Sequence, residues 1–409
     1  MAMRGACRPG EIGTFVNEHS SQATATDAAP RQTVPLLDLK RQYATIRSEV
    51  REAIDRVCES QSLILGDEVA ALEREISAFL GVTDTVACAS GTDALWLAMA
   101  AAGVRPGDLV LTTPFTFFAS ASSIVRCGAR PVFADIDPET FNLDSRSARL
   151  AIERLRPAAV KAIMPVHLFG ECANMDVFEQ VAQDYKLSII EDAAQAFGAS
   201  WRKRKAGAWG EAAAFSFYPT KNLNAFGDAG CVTTSDPELA GRVRRLRNHG
   251  SSRRYHHQEM GGNSRMDAIQ GAVLRIKLRH LEDWNARRRE IAARYDQLFS
   301  AAALAGAPGR PVRPQTVYPQ AQHIYHQYVV RVPKRDELRA FLAVRGIASE
   351  IYYPLPLHLQ EAFAYLGYAP GSMPEAERAC REVLALPIFP ELRSDEQRRV
   401  VDAIAEFFS

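Results

Sequence analysis

Between residues 85 and 234 short apolar runs alternate with longer stretches of helical periodicity, and this alternation restricts the fold more than any other feature of the chain. The apolar runs are TVACAS (85–90), LVLTTP (109–114), PVFADI (131–136), AIMPVHL (162–168), LSIIED (187–192), AAAFSF (212–217) and GCVTT (230–234). Most are separated by segments, such as 91–102 and 174–185, in which apolar residues recur every three or four positions. Strands that alternate with helices build a mostly parallel sheet covered on both faces, because each crossover lays a helix against the sheet. The last two runs are joined by a loop without helical periodicity, so one antiparallel strand at the sheet edge is expected. The fold class is α/β, with a large domain built on a mostly parallel seven-stranded sheet.

The flanking regions differ in character. Residues 1–33 are rich in Ser, Thr, Ala, Gln and Gly without periodicity, and read as a disordered extension. Residues 41–59 and 67–80 carry apolar positions at helical spacing. Residues 236–247 and 266–300 read as charge-rich helices, and a Pro/Gly/Ala stretch at 301–322 as an irregular connector. A strand at 325–332 and helices at 334–345 and 394–408 then suggest a smaller C-terminal α+β domain. The expected division is an extension at 1–33, a large domain at 34–285 and a small domain at 286–409.

Charge excludes one group of partners. The 409 residues hold 49 Lys and Arg against 48 Asp and Glu, a formal net charge of +1. So even a balance gives no general attraction to nucleic acid or to an anionic membrane, and an anion must be gripped at a local site. No apolar run reaches the about 18 residues of a membrane span. The seven cysteines are scattered without a CxxC pair. Cys88 and Cys231 lie in strand-like contexts, so reduced, buried thiols and a cytoplasmic location are expected.

Four motifs fall where strands end. Ser90-Gly91-Thr92 lies at a strand-to-helix turn, where free N–H groups and the positive helix end suit an anion; the same residues also cap helices with no ligand. Asp192 closes an apolar strand next to Glu191. A buried acid there needs a cation, which an arginine, a metal or a protonated heterocycle would supply. No His/Asp cluster at ligand spacing accompanies it, so no metal is expected. Lys221 follows FSFYPT, and an amine drawn into a crevice loses basicity and becomes a nucleophile, whereas an isolated lysine is ordinarily a surface residue. Phe115, Phe117 and Phe118 follow the strand at 109–114; one could stack on a planar ligand, and at least two are expected in the core. There is neither a Walker motif nor a GxGxxG fingerprint. An anion cup, an acid, a lysine and an aromatic plate are the parts that hold pyridoxal 5′-phosphate (PLP).

From VPLLDL at 34 to its end the chain resembles the DegT/StrS sugar aminotransferases, within the aspartate-aminotransferase-like PLP enzymes of fold type I. The matching segments are ILG (64–66), SGTDAL (90–95), TPFTFFAS (113–120), PVFADIDPETFNLD (131–144), EDAAQAFGA (191–199), FSFYPTKNL (215–223), NSRMDAIQ (263–270) and YYPLPLH (352–358). The resemblance implies that Lys221 binds the cofactor aldehyde covalently and that Asp192 pairs with the pyridine nitrogen. It implies that Gln195 bonds the ring oxygen and that Phe117 stacks on the ring. Gly91, Thr92 and Ser216 would form the phosphate cup. Asn263 would reach the phosphate from a neighbouring subunit, so a homodimer with shared active sites is expected. Family members often carry His at the position of Phe197 and GEGG where this chain has Gly227-Asp228-Ala229-Gly230. A branch of dehydratases has His in place of the lysine, and Lys221 sets this chain apart from it.

The resemblance also suggests the substrates: L-glutamate as amino donor and a nucleotide-linked keto-sugar as acceptor. Asn263-Ser264-Arg265 is closer to the 3-keto than to the 4-keto enzymes, and Arg253-Arg254-Tyr255-His256-His257 resembles an enzyme of a UDP-linked 3-keto sugar acid. Arg265, Tyr353, His326 and His358 are the expected substrate contacts, with Arg253 and Arg254 either contributing or forming a solvated basic loop. The alternatives are a keto-inositol acceptor in aminoglycoside assembly and a PLP-binding regulator without turnover.

Overall fold

The computed structural model describes residues 33–155 and 160–409, so the expected extension lies outside it apart from Thr33. The seven expected strands form one sheet: β1 Asp84–Cys88, β2 Leu109–Thr112, β3 Arg130–Phe133, β4 Val160–Ile163, β5 Ser188–Asp192, β6 Ala212–Ser216 and β7 Gly230–Thr234. Their spatial order is β1-β7-β6-β5-β4-β2-β3. All pairings are parallel except those of β7, which runs antiparallel to both β1 and β6.

The antiparallel strand is therefore internal, and the expectation of an edge strand is corrected. All five residues of β7 are buried, which an open edge would not allow. Its first residue sits where only glycine fits. A Cβ on Gly230 would lie 2.5 Å from the Ser90 carbonyl oxygen and 2.7 Å from that of Phe215. The chain thus threads β7 between β6 and β1, and brings the end of β1 beside the end of β6.

Helices cover the sheet. The first two, α1 (Leu39–Ser60) and α2 (Gly66–Leu80), match the expected segments. They are followed by α3 (Gly91–Ala101), α4 (Phe118–Arg126), α5 (Ser145–Arg154), α6 (Met175–Tyr185) and α7 (Pro237–Leu246). The next, α8 (Ala268–Ala301), is 34 residues long, packs on α1 and α2, and runs unbroken through position 285. C-terminal to it, β8 (Tyr328–Arg331) pairs antiparallel with β9 (Val383–Leu386), flanked by α9 (Arg335–Val344), α10 (Pro374–Glu382) and α11 (Ser394–Phe408). The sequence reading leaves out α10 and β9. Tyr295, Phe299, Val330, Leu384, Phe389 and Ile404 form the core of this part.

Cys88, Cys172, Cys231 and Cys380 are buried free thiols. Of the three phenylalanines after β2 only Phe115 is buried, whereas Phe117 is 58% and Phe118 41% exposed, so the expectation of two core residues is corrected. The reason is local: Phe117 and Phe118 start α4 at the sheet rim, beyond the last buried strand position. Phe197, where relatives often have His, is buried and stacked on Phe79 at 5.6 Å. Among the described residues no helix is long and apolar enough to cross a membrane.

Candidate active site

The carboxyl ends of β1, β2, β5 and β6 meet at one rim, the position where open α/β sheets bind ligands. Asp192 is the last residue of β5. Its N–H donates to the Pro165 carbonyl and its own carbonyl accepts from the His167 N–H, both at 3.0 Å. Its buried carboxylate accepts from Ser120 Oγ at 2.6 Å and from the Ala194 N–H at 3.2 Å. Ser120, on α4, in turn shares a 3.0 Å hydrogen bond with Thr116. Burial raises the proton affinity of Asp192, opposed by the Ser120 and Ala194 donors and by the positive charge of Lys221.

Lys221 lies beyond β6, in a turn closed by its N–H donating to the Tyr218 carbonyl at 2.8 Å. Desolvation lowers its pKa from 10.5 to about 8, and the carboxylate of Asp192 limits the fall. Each group thus feels the other's charge, although burial is the larger influence on both. An amine with that pKa is partly neutral at ordinary pH, as a nucleophile or proton acceptor must be.

The turn into α3 forms the third wall. Ser90 Oγ accepts the Asp93 N–H at 3.1 Å and so caps the helix. A Cβ on Gly91 would lie 2.5 Å from Ser216 Cβ, so glycine is what lets this helix end reach the end of β6. Thr92 is exposed at the same turn, and Ser216 Oγ accepts the Tyr218 N–H at 3.3 Å. The exposed Phe117 ring stands at the rim, 6.4 Å from that of Tyr353. Gln195 uses both ends of its amide: Oε1 accepts the Phe169 N–H at 2.8 Å, and Nε2 donates to Tyr353 Oη at 3.0 Å. Tyr353, expected as a substrate contact, is thus tied to an expected cofactor contact.

The remaining sequence-predicted residues divide. His326 is buried and feels the charge of Lys221; desolvation pushes its pKa well below 6.5, so the ring is neutral, and its Nδ1 has no partner. His358 is also buried, but its Nε2 meets Glu377 Oε1 at 3.1 Å. Glu377 also accepts the Gly371 N–H at 2.8 Å, which gives His358 a structural bond. Asn263 is exposed and bridges to Asn248, and Arg265 Nη1 donates to Asn248 Oδ1 at 2.8 Å. Arg253 and Arg254 lie in an exposed hairpin. No described hydrogen bond or ion pair joins Asn263 or Arg265 to Lys221 or Asp192 within one chain.

Three polar residues near the site receive no role from the sequence. Ser120 is one, and its helical spacing from Thr116 was the available signal. His167 and Glu191 are the others. Neighbouring strand residues point to opposite faces, so Glu191 turns away from the crevice that holds Asp192. The Glu191 carboxylate accepts the N–H groups of Gly207 and Trp209 at 2.8 Å and of Gly210 at 2.9 Å, together with His167 Nε2 at 2.9 Å. His167 Nδ1 accepts the Ala173 N–H at 3.1 Å, so its proton is on Nε2. Burial alone would raise the pKa of Glu191; His167 and the backbone donors outweigh it and hold the carboxyl below its usual range.

A lysine of lowered basicity, a buried carboxylate facing it and a glycine-walled anion cup on one sheet rim define a site for amine-transfer chemistry. The chain belongs to the DegT/DnrJ/EryC1/StrS aminotransferase family, whose model matches residues 44–405, and it is an aminotransferase. It is 48% identical to a protein of Geobacillus stearothermophilus named a pleiotropic regulatory protein, over 92% of this chain and 98% of that one. It is 44% identical to dTDP-3-amino-3,4,6-trideoxy-alpha-D-glucose transaminase of Streptomyces venezuelae, over 91% of this chain and 96% of the other. The crystal structure of S. venezuelae DesV in complex with a ketimine intermediate superposes with a TM-score of 0.87 at 42% identity, covering 92% of this chain and 98% of that one. The last comparison agrees with the expected fold type I architecture.

Proposed function

We propose that this aminotransferase uses PLP to move an amino group from L-glutamate to a nucleotide-linked keto-sugar, with a 3-keto acceptor favoured over a 4-keto one. The observation that carries the reading is a lysine of lowered basicity, Lys221, and a buried carboxylate, Asp192, that feel each other's charge at one sheet rim. The residues present fit the cofactor. Gly91 keeps open a cradle that a Cβ would fill, beside the hydroxyls of Thr92 and Ser216. When bound, PLP supplies an aldehyde that condenses with amines and a ring that delocalises the negative charge of a deprotonated carbon.

Each residue then has a task. Lys221 Nζ would hold the cofactor and, as a free amine of lowered basicity, would accept the proton of the donor's α-carbon. The Asp192 carboxylate, anchored by Ser120, keeps a proton on the pyridine nitrogen. Gln195, steadied by Tyr353, bonds the ring oxygen, and Phe117 covers the ring face. Gly91, Thr92 and Ser216 bind the phosphate together with Asn263 of the partner subunit, in a homodimer with shared active sites. The outward position of Asn263 supports that sharing. Arg265, His326, His358 and Tyr353 are proposed on the sugar side, with His358 contributing through its backbone segment because Glu377 occupies its ring.

The 3-keto preference rests on Asn263-Ser264-Arg265 and on the S. venezuelae relative, whose name specifies a 3-amino sugar. The test is transamination of 3-keto and 4-keto nucleotide sugars and of a keto-inositol by the PLP-loaded chain, with L-glutamate as donor. Faster turnover of the 3-keto sugar supports the reading; a preference for either other acceptor overturns it.

A further inference from the structure

The mechanism above leaves the buried cation of Lys277 unused. Lys277, on α8, is 3% exposed, and among the described residues no carboxylate lies within ion-pair distance of it. A buried ammonium without an anion is costly, and here desolvation pulls its pKa down to about 8. Its Nζ is held instead by two neutral groups. It donates to Asn224 Oδ1 and lies 4.7 Å from the centre of the Phe226 ring. Asn224 passes the contact on, because its Nδ2 donates to the carbonyl of Lys221 at 2.9 Å.

Lys277 does not act alone on this segment. One face of α8 grips the chain after Lys221 at three successive places. Asn285 Oδ1 accepts from Asn222 Nδ2 at 2.7 Å. Lys277 holds Asn224. Gln270 Oε1 accepts the Phe226 N–H at 2.8 Å, and Gln270 Nε2 donates to the Phe226 carbonyl at 3.4 Å. Positions 270, 277 and 285 are spaced by about two helical turns, so they share a side of the helix. Residues 222, 224 and 226 alternate and present matching groups in reverse order. A 34-residue helix is a stiff ruler, and side chains gripping at three places set the path of a segment that has no secondary structure of its own.

We propose that Lys277 is a positioning residue for Lys221, acting through Asn224 to fix the backbone from which the reactive amine projects into its desolvated position. The role explains why a cation is retained where an apolar side chain would pack at lower cost. A charged donor makes a stronger hydrogen bond to the asparagine oxygen than a neutral one, and so orients the amide whose other end holds Lys221. The inference rests on the reading of Lys221 as the cofactor-binding amine, but its test does not need the cofactor.

The experiment measures labelling of Lys221 by a small amine-reactive reagent in the PLP-free, full-length protein, followed by peptide mass spectrometry across pH 6–10. The variants are Lys277→Met, Lys277→Gln, Asn224→Ala and Lys277→Met with Asn224→Ala. Loosening the segment admits water to Lys221, so the labelling midpoint rises from about 8. A rise of about one pH unit slows labelling at pH 7 about tenfold. Asn224→Ala is expected to give the same change, and the double variant no more than either single one. PLP release from the loaded protein, measured separately, is expected to accelerate about tenfold in the same variants. The proposal is overturned if the Lys221 midpoint stays at the wild-type value in the folded variants, or if the Lys277 and Asn224 effects add. Lys277→Gln supplies the measurement if Lys277→Met does not fold. Absence of PLP binding by the wild-type chain would contradict the proposed function and leave the labelling comparison intact.

Discussion

Replacing Asp192 by asparagine removes the negative charge that faces Lys221 and leaves the shape of the site nearly unchanged. In the wild-type chain Lys221 is brought from 10.5 to about 8 by desolvation, with Asp192 pulling the other way. A fall of about 2.5 pH units corresponds to roughly 300-fold more neutral amine at pH 7 than an ordinary surface lysine offers. Without the aspartate the same desolvation acts unopposed, so Asp192→Asn lowers the midpoint of Lys221 further. The assay is amine labelling of the PLP-free protein over pH 5–10, read lysine by lysine. Lys277 serves as an internal control, because desolvation lowers it as well. The wild type is expected to show Lys221 near 8, the variant a lower value, and Lys277 the same value in both. On the proposed role of Asp192, PLP is expected to bind the variant more weakly, because the ring nitrogen would lose its counter-charge. A Lys221 midpoint that stays put or rises in Asp192→Asn would refute the argument that the two groups are coupled.

Other consequences are equally direct. Gly91→Ala places a methyl 2.5 Å from Ser216 Cβ, so PLP affinity is expected to fall by at least about tenfold in equilibrium dialysis, with the phosphate contributing most of the loss. Glu171 is buried, accepts from Gln315 Nε2 at 2.8 Å and the Tyr318 N–H at 3.1 Å, and is pushed up from 4.5 to about 8 by burial. The folded chain therefore keeps a proton there that the unfolded chain loses. This stability is fully present below pH 4.5 and is lost as pH rises to 8, at about 1.4 kcal/mol per pH unit. Glu171→Gln removes that slope, so unfolding midpoints at pH 5 and pH 8 should draw closer together in the variant; an unchanged difference would contradict the assignment. If sites are shared across a homodimer, mixing the inactive Lys221→Ala and Asn263→Ala chains restores about a quarter of wild-type activity through hybrid dimers, and no recovery rules out sharing.

The layered α/β architecture was legible because each strand is a short apolar run and each crossover a helical period. The helices at 39–60, 66–80 and 394–408 were equally plain. The position of β7 was not. A loop between β6 and β7 announces an antiparallel pair, but nothing in GCVTT says that β1, some 140 residues earlier, takes its other side. That information lies in Gly230 and its close approach to Ser90, which only coordinates reveal. Candidate residues at strand ends were legible for a related reason, since a strand end fixes which way Asp192 and the turn at Ser90 face. Side chains that act by touching those residues were harder to read. Ser120, Glu191, His167 and Lys277 reach their partners across 24 to 72 positions of sequence. The exposure of Phe117 and Phe118 was hidden because an apolar residue at a sheet rim and one in the core have the same composition.

The central claim is that Lys221 is the amine that holds the cofactor opposite Asp192. It is tested most directly by loading the full-length chain with PLP, reducing it with borohydride and locating the added mass by peptide mapping. The account predicts one modified residue, Lys221, and loss of both the visible absorbance and the adduct in Lys221→Ala. An adduct on another lysine, Lys277 included, or no adduct on a chain that still transfers amino groups, would contradict it.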